Sequence, residues 1–394
     1  MYDMISYISA SWIYPVSTEP LENGVIALHP DGTIEEVLSA EEASARNITD
    51  ISSYEGILVP GLVNTHCHLE LSHLKGKIAE HTGLPGFVQQ VIQQRASSPE
   101  EIENAMLHAD EEMYNNGIVA VGDISNQPIS KNVKLNSKIY YHTFVEAMGF
   151  NPAKAGDIIA IAKLTREAFA PLKATIVPHA PYSVSAELFQ EINALSGITG
   201  ESVSIHNQET ADENAFFESK TGHFLKLYEF LGLDISFFEA GGKSSLQSYL
   251  PRLSAAPRTL LVHNTFTSKA DLEFAALTHP QLFWCLCPNA NLYIENRLPD
   301  IALLKDAGIR LTLGTDSLAS NHQLSILAEM LSLQERAAVS FEDVLRWATL
   351  NGAAFLGIDT IYGSFEKGKK PGLNLITGTE EGRITNRTKI KRLI

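Results

Sequence analysis

The sequence has little cysteine, only three residues among 394. This excludes the disulfide-framework class of secreted proteins and predicts a reducing, cytoplasmic environment. Basic residues are also few, 30 against 46 acidic ones, and the resulting net charge of −16 disfavours binding to nucleic acid. No apolar run reaches about 18 residues, and the first residues do not form a signal-peptide pattern, so neither a membrane span nor a secretion signal is predicted.

Apolar runs are present in a regular succession from Gly56 onward. Eight are found: GILVPGLV, GIVAVGDI, KIYYHTFVEA, KATIVPHA, ESVSIHN, TLLVHNT, LFWCLCP and RLTLGTDS. Helix-like segments such as GLPGFVQQVIQQR and PEEIENAMLHADEEMYNNG separate them. Strands that alternate with helices indicate a parallel sheet, and eight such units predict an α/β fold of the (β/α)8 TIM-barrel type.

The two chain ends have a different pattern. GVIALHPDGTIEEVL predicts a β-hairpin with its turn at Asp31 and Gly32, and strand-like text returns near the C-terminus in GSFEKGKKPGLNLITG and TKIKRLI. We therefore expect a small β-sandwich domain formed by residues 1–56 and 357–394. The barrel domain is expected to comprise residues 57–356.

Histidine and acidic side chains recur where the predicted strands end. His66 and His68 lie two residues apart, so an extended chain points both imidazoles to one side, and such a pair can bind a metal ion. The ends of later runs hold His179, His206 followed by Glu209, His263 and Asp316.

The strand ends of a barrel converge at one face, so these residues are expected to form one site. A single histidine there is more often a hydrogen-bonded structural group, and an isolated glutamate is more often a salt-bridge partner. Five histidines and an aspartate are harder to explain by packing, because polar groups buried at that face need partners or a metal ion. The whole set therefore predicts a metal-dependent active site.

Several of these segments resemble the amidohydrolase superfamily, and the resemblance covers nearly the whole chain. The segments are PGLVNTHCHLE, HAPYS, HNQETADENAFFESKTG, LVHNT, CPNANLYI and LGTDSLASN. The HxHLE opening and the TDSLASN ending are similar to the deaminase and chlorohydrolase branch of that superfamily.

The resemblance implies a role for each strand-end residue. Glu209 and His263 match catalytic residues, Asp316 is suited to accept a proton from water, and His179 matches a substrate contact. The implied ligands of one divalent metal ion are His66, His68, His206 and Asp316. Binuclear members carry a carboxylated lysine or another bridging carboxylate at the end of the fourth strand, where this chain has VPHAPYS, so one ion is expected. Three imidazoles and a carboxylate favour Zn²⁺, with Fe²⁺ as the alternative.

Other residues near the strand ends are candidates for contacts with a substrate. Tyr182 and Phe87 offer rings that stack on an aromatic base, although simple packing is the commoner role of such residues. Glu146 is a candidate for contacts with a ribose or a ring, with a buried ion pair as the alternative. Asn291 and Ser317 follow the seventh and eighth predicted strands, and turn formation is the alternative role of Asn291.

The expected reaction is the deamination of an adenine-like nucleoside derivative. Hydrolysis at a ring carbon that bears an amino group needs a proton donor, and Glu209 is placed to supply one. HCHLELS and ADENAFFESKTGHFLKLYEFL most resemble the aminodeoxyfutalosine deaminases of the alternative menaquinone pathway. The S-adenosylhomocysteine and methylthioadenosine deaminases are similar too. However, they usually carry an acidic residue before a tryptophan where this chain has GLPGFVQQ.

Other functions remain open. They include a guanine or pterin deaminase, a chlorohydrolase, a cyclic amidase and an inactive barrel that acts as a binding protein. Glu209 disfavours a chlorohydrolase because chloride leaves without a proton, and the complete ligand set disfavours an inactive protein. The expected partner is a small aminopurine-like molecule, and the resemblance also allows a homodimer.

Overall fold

The computed structural model describes residues 5–199 and 201–394 of the chain. The described residues form strands and helices in nearly the order expected from the sequence. The strands are β1 (Ser6–Ile13), β2 (Leu21–Glu22), β3 (Val25–Leu28), β4 (Ile34–Leu38), β5 (Ile51–Pro60), β6 (Leu62–Cys67), β7 (Ile118–Ser125), β8 (Tyr140–Ala147), β9 (Ala174–Pro178), β10 (Val203–Asn207), β11 (Thr259–His263), β12 (Leu282–Leu286), β13 (Leu311–Leu313), β14 (Leu373–Thr377) and β15 (Lys389–Arg392).

One helix lies between β4 and β5, and further helices connect most of the strands after β6. They are α1 (Ala40–Ala45), α2 (Gly83–Gln94), α3 (Pro99–Asn115), α4 (Lys131–Asn136), α5 (Ala155–Ala168), α6 (Ala186–Thr199), α7 (Ala211–Ser219), α8 (Phe224–Phe230), α9 (Ser245–Tyr249), α10 (Lys269–Thr278), α11 (Pro288–Glu295), α12 (Ile301–Asp306), α13 (Ile326–Arg336), α14 (Phe341–Ala348) and α15 (Leu350–Leu356). Local sequence explains where many of them begin. The Ser98 hydroxyl accepts the Glu101 amide ahead of Pro99 in α3, and Ser268 and Asp271 form a capping box on α10. Within the described ranges, no helix is both long and apolar enough to span a bilayer.

The eight strands from β6 to β13 form two parallel four-stranded sheets. One has the order β6-β7-β8-β9 and the other β10-β11-β12-β13. The sheets meet at both edges: β9 contacts β10, where the His206 amide donates to the His179 carbonyl at 3.0 Å, and β13 contacts β6. Just beyond β13, the amides of Thr315 and Asp316 donate to the His66 carbonyl at 3.1 Å. The α/β class expected from the sequence is thus confirmed, and the carboxyl ends of these strands lie together.

Strands from both chain ends form a third sheet, which has the order β15-β14-β5-β1-β3-β4, with β2 paired to β1. The predicted hairpin corresponds to β3 and β4, which are antiparallel. Gly32 in its turn has φ +86°, a conformation that a residue without a β-carbon adopts at little cost. Residues 1–4 lie outside the described residues, and the predicted boundary at residue 56 falls inside β5.

The first apolar run, GILVPGLV, is not one strand as expected. It is divided between β5, which pairs with β1 and β14, and β6, which pairs with β7. Gly61 separates them at a point where the backbone packs closely on its surroundings. A β-carbon there would lie 2.2 Å from Val119 Cγ1 and 2.5 Å from the Pro371 carbonyl oxygen. The sequence pattern missed this break because the residues on both sides are apolar and buried.

Alternate residues of the parallel strands enter two different apolar clusters. Phe144 of β8 and Phe283 of β12 pack in one cluster with Phe355 of α15, whereas their neighbours Val145 and Trp284 pack in the other. Both faces of the strands are therefore buried, which explains why the sequence shows continuous apolar runs here instead of alternation. Full burial of each such side chain contributes about 1.5–3 kcal/mol to stability.

A buried ion pair lies between β7 and the helix that follows it. Lys134 Nζ of α4 is 2.6 Å from Asp123 Oδ2 of β7, and neither side chain is exposed. Lys134 also donates to the hydroxyls of Ser125 and Thr143, at 3.1 and 2.9 Å. The other oxygen of Asp123 accepts the Leu69 amide at 2.8 Å. The pair therefore fixes the backbone immediately after His68.

We predict that Lys134→Met destabilises the protein by about 3–5 kcal/mol, because it leaves the Asp123 carboxylate buried without a counterion. Denaturant unfolding of the variant measures this change. Lys305→Met is the matched control, since the Lys305–Asp343 pair is partly exposed and its loss should cost at most about 1 kcal/mol. Adding Asp123→Asn to Lys134→Met should recover part of the loss. If Lys134→Met and Lys305→Met destabilised the protein equally, a structural role for the buried pair would be contradicted.

Candidate active site

The predicted site residues lie close together at the carboxyl ends of the parallel strands. His66 is the penultimate residue of β6, and His68 follows that strand. His206 lies near the end of β10, His263 ends β11, and Asp316 follows β13. All five are buried, with at most 9% of any one exposed.

The backbone at this location is held in uncommon conformations. His263 has φ +77° and Asp316 has φ +55°, values in the left-handed region that residues with a β-carbon rarely adopt. Gly314 permits the close approach of β6 and the segment after β13, because a β-carbon there would lie 2.8 Å from His66 Cβ. Strain of this kind is typical of functional sites that the surrounding structure holds in place.

The imidazoles and the carboxylate converge closely enough to share one ion. His66 Nε2 lies 3.2 Å from His68 Nε2, and Asp316 Oδ1 is 3.5 and 3.4 Å from these two nitrogens. Donor atoms of His66, His206 and His263 also lie within 4.8 Å of one another. His263 Nε2 is buried, and in the described part of the chain it has no hydrogen-bond partner. Three imidazoles, one carboxylate and an unsatisfied nitrogen beside them form a donor set that fits a divalent metal ion.

Burial keeps these histidines neutral, as metal ligands must be. Removal from water lowers the pKa of His68 to about 4 and the pKa of His206 well below its usual range. Each neutral ring therefore has one nitrogen without a proton, whose lone pair can bind a metal ion.

Hydrogen bonds on the far side of the His206 and His263 rings fix their orientation. His206 Nδ1 donates to the His179 carbonyl at 2.7 Å, and His263 Nδ1 donates to Asn291 Oδ1 at 2.8 Å. The Ser320 hydroxyl donates to Asp316 Oδ2 at 2.5 Å. Such partners set which ring nitrogen faces the cluster. Asn291 was predicted as a substrate contact, and the structure places it behind His263.

Glu209 lies beside His263, with Oε1 3.6 Å from His263 Nε2. Burial, reinforced by the negative charges of Asp316, Glu213 and Glu295, raises the pKa of Glu209 well above its usual value. The shift favours the protonated form of this carboxyl group. Glu213 Oε2 accepts the Glu209 amide at 3.3 Å, which anchors the backbone that carries this group.

A cavity of about 520 Å³ opens from this cluster. Its inner end is polar and includes His68, Glu209 and Asp316, and its outer part is lined mainly by apolar side chains of α2 and α8. The other predicted site residues that line it are Phe87, Glu146, His179, Tyr182, His206, His263 and Ser317. His66 lies behind them and is fully buried.

Sequence reasoning missed Asn126, which follows β7. Its side-chain amide donates to Glu146 Oε2 at 3.1 Å, and its backbone amide donates to Glu70 Oε2, also at 3.1 Å. Glu70 is only 3% exposed, so it is a buried group and not a solvated surface charge. Its position in the sequence could have indicated it, because Asn126 is a polar residue that closely follows the apolar run GIVAVGDI.

Comparisons with known proteins agree with this architecture. The chain is 27% identical over 336 residues to an adenosine deaminase of Helicobacter pylori, an alignment that covers 82% of this chain and 80% of that protein. It is also 27% identical over 393 residues to a 5-methylthioadenosine/S-adenosylhomocysteine deaminase of Saccharophagus degradans, covering 92% and 81% of the two chains. A crystal structure of Helicobacter pylori aminofutalosine deaminase in complex with methylthio-coformycin has the same fold. Its TM-score is 0.83 at 24% identity, and the match covers 99% of this chain and 100% of that one.

A family model gives the assignment directly. The model of the amidohydrolase family matches residues 57–392, which include strands β6 to β13 and every histidine of the cluster. The chain belongs to the amidohydrolase family.

Proposed function

We propose that this protein is a metal-dependent aminohydrolase that removes the amino group of an adenine-like nucleoside derivative as ammonia. The proposal rests on the position of Glu209. A buried carboxyl group whose protonated form is favoured lies 3.6 Å from His263, at the inner end of a cavity that contains a histidine–aspartate cluster. Hydrolysis at a carbon that bears an amino group needs such a proton donor. The deaminase names of the two sequence relatives support the same reaction.

We also propose that the two parallel sheets close into one (β/α)8 barrel spanning residues 57–356. The contacts between β9 and β10 and between β13 and β6 support closure at both edges. Residues 1–56 and 357–394 would then form the β-sandwich domain, a division supported by the third sheet, which takes strands from both chain ends.

The proposed ligands of the metal ion are His66, His68, His206 and Asp316, and the proposed ion is Zn²⁺, with Fe²⁺ as the alternative. Neutral imidazoles and one carboxylate suit either ion. When bound, such an ion makes water a nucleophile at neutral pH.

Residues of the protein itself carry out the proton transfers. Asp316 takes a proton from the attacking water, which His263 orients, and the oxygen adds to the ring carbon. Glu209 gives its proton to the adjacent ring nitrogen, then takes the proton of the new hydroxyl on the ring carbon and passes it to the departing amine. The proton that Asp316 accepted restores the one that Glu209 gave to the ring. The carbon–nitrogen bond breaks, ammonia leaves, and the ring keeps an oxygen at that carbon. A chloride leaving group would not need the second proton transfer, so the raised pKa of Glu209 favours deamination over dehalogenation.

The preferred substrate is proposed to be of the aminodeoxyfutalosine type, which would place the enzyme in menaquinone biosynthesis. The resemblance of residues 66–73 and 212–230 to that group supports this choice. Glu146 and Asn126 line the cavity next to the cluster and are suited to hold ribose hydroxyls. Phe87 and Tyr182 would contact the base, and Ser317 would lie beside it. Deamination of S-adenosylhomocysteine, methylthioadenosine, guanine or a pterin is the alternative, and a homodimer stays a prediction.

We predict one bound divalent metal ion per chain. Elemental analysis of the purified protein should give a ratio near one, and His66→Ala or His206→Ala should abolish both metal and activity because each removes a proposed ligand. His223→Ala is the matched control, since His223 is 70% exposed and pairs with Asp212 at the surface. Two ions per chain, or full activity after chelation removes all metal, would rule out the proposed site.

We predict that Glu209→Gln keeps the metal ion but lowers kcat by about 100- to 10,000-fold, the usual contribution of a general acid–base group. Glutamine preserves the size of the side chain and cannot transfer a proton. Steady-state kinetics with an amino substrate, together with metal analysis, measure both effects. Glu229→Gln, at an exposed position of α8, should leave both unchanged. Near-normal turnover of Glu209→Gln would refute the catalytic role, and loss of metal would make the role structural.

We predict that kcat/KM is higher for aminodeoxyfutalosine than for adenosine, methylthioadenosine, S-adenosylhomocysteine or guanine. Ammonia release from each compound provides the measurement. A clear preference for guanine would refute the adenine assignment while leaving the metal-dependent chemistry in place. Hydrolysis of only chlorinated or cyclic amide compounds would refute the deaminase function itself.

A further inference from the structure

A buried carboxyl group outside the cavity lining is connected to two parts of the site. Glu329 lies in α13 and is fully buried, as are its apolar helix neighbours Met330 and Leu333. Burial raises the pKa of Glu329 to about 8, although hydrogen bonds from Asn289 and Asn321 lower it. A buried carboxyl group reduces stability unless its oxygens have hydrogen-bond partners. The two oxygens of Glu329 have different partners, and each partner belongs to a segment that supports a site residue.

One oxygen of Glu329 supports the segment that carries Asp316. Asn321 Nδ2 donates to Glu329 Oε1 at 2.8 Å and to the Thr315 carbonyl at 2.9 Å, so both hydrogens of this amide are used. The Asn321 side-chain oxygen accepts the His322 amide at 2.8 Å, which fixes the orientation of the group. Thr315 directly precedes Asp316, whose φ of +55° is uncommon for a residue with a β-carbon. Glu329 therefore supports, through Asn321, the backbone from which Asp316 reaches the cluster.

The other oxygen of Glu329 supports the helix that orients His263. Glu329 Oε2 accepts the backbone amide of Asn289, the second residue of α11, at 2.9 Å. Amides at this end of a helix have no partner within the helix. Ser332, one turn further along α13, donates to Asn289 Oδ1 at 2.5 Å. Asn291 in the first turn of α11 accepts His263 Nδ1 at 2.8 Å, so the orientation of the His263 ring depends on where α11 begins.

We propose that Glu329 is a positioning residue that keeps Asp316 and His263 at a fixed distance and orientation. The proposal rests on the proposed function, in which Asp316 takes a proton from the attacking water and His263 orients that water. These two residues follow different strands, and Glu329 is bonded to a support of each. A small displacement of either one slows the attack without changing how the substrate binds. An apolar residue at position 329 would leave the donors of Asn289 and Asn321 without partners.

We predict that Glu329→Gln lowers kcat by about 10- to 100-fold, the usual effect of removing a partner behind a metal ligand, and leaves KM within about twofold of the native value. Glutamine has the same size, but it replaces one acceptor oxygen with a donor. The Asn289 amide is fixed in the backbone, so the remaining oxygen stays with it and the connection to Asn321 is lost. Ammonia release from aminodeoxyfutalosine measures both constants. Glu335→Gln, at an exposed position of the same helix, should behave as the native enzyme does.

Affinity for Zn²⁺ provides a second measurement, which does not depend on turnover. Competition with a chromophoric zinc chelator should show that Glu329→Gln binds Zn²⁺ about tenfold more weakly or worse, because Asp316 is less firmly held. Asn321→Ala should also weaken binding. Since Glu329 acts on Asp316 through Asn321, the double variant should bind Zn²⁺ no more weakly than Asn321→Ala alone. Glu329→Ala releases Asn289 as well and should lower kcat further than Glu329→Gln does.

Native kcat and native zinc affinity in folded Glu329→Gln would overturn the proposal, even if the variant were less stable to denaturant. Losses of zinc affinity that multiply in the double variant would also overturn it, because the two residues would then act separately. In both cases the native enzyme would still release ammonia, so the proposed function would stand. Absence of ammonia release by the native enzyme would instead overturn the proposed function and the assignment of the water to Asp316 and His263.

Circular dichroism establishes whether each variant is folded. If Glu329→Gln did not fold, Asn321→Ala would test the same connection from its other end. It is expected to lose both kcat and zinc affinity, and native values of both would overturn the proposal.

Discussion

Burial of ionisable side chains where the parallel strands end is the constraint on which the other features of this structure depend. Removing an imidazole or a carboxylate from water is costly unless the group becomes neutral or gains a partner. The protein uses both solutions. Burial favours the neutral forms of His68 and His206 and the protonated form of Glu209, whereas Asp123 is paired with Lys134. The same burial that destabilises the charged forms therefore sets the protonation states that the proposed chemistry requires.

The sequence predicts the strand ends well, because both faces of these strands are buried and their apolar runs are unbroken. It predicts His66, His68, His206, His263 and Asp316 as one set for the same reason, since each follows such a run. It does not predict the break at Gly61, because the break depends on contacts with Val119 and Pro371, which are distant in the chain. The runs to either side of that glycine are equally apolar.

The sequence also does not predict the residues that hold other site residues in place. Asn291 orients His263, Asn126 bridges Glu70 and Glu146, and Lys134 neutralises Asp123. None of these pairings has a characteristic spacing, because each joins different strands or helices. Only the fold reveals that they meet. The outer part of the cavity is similar, because it is lined by α2 and α8, which are separated by more than 120 residues in the chain.

The pairing of β5 with β14 has a consequence for the order in which the molecule is made. Leu373 pairs with Pro60, and a single glycine separates Pro60 from the strand that carries His66. The His66 carbonyl itself accepts amides from Thr315 and Asp316, about 250 residues later in the chain. During translation the first histidine pair leaves the ribosome long before these partners exist. One side of β5 and of β6 therefore stays unpaired through most of synthesis. The backbone N–H and C=O groups on that side are exposed to other chains and to chaperones.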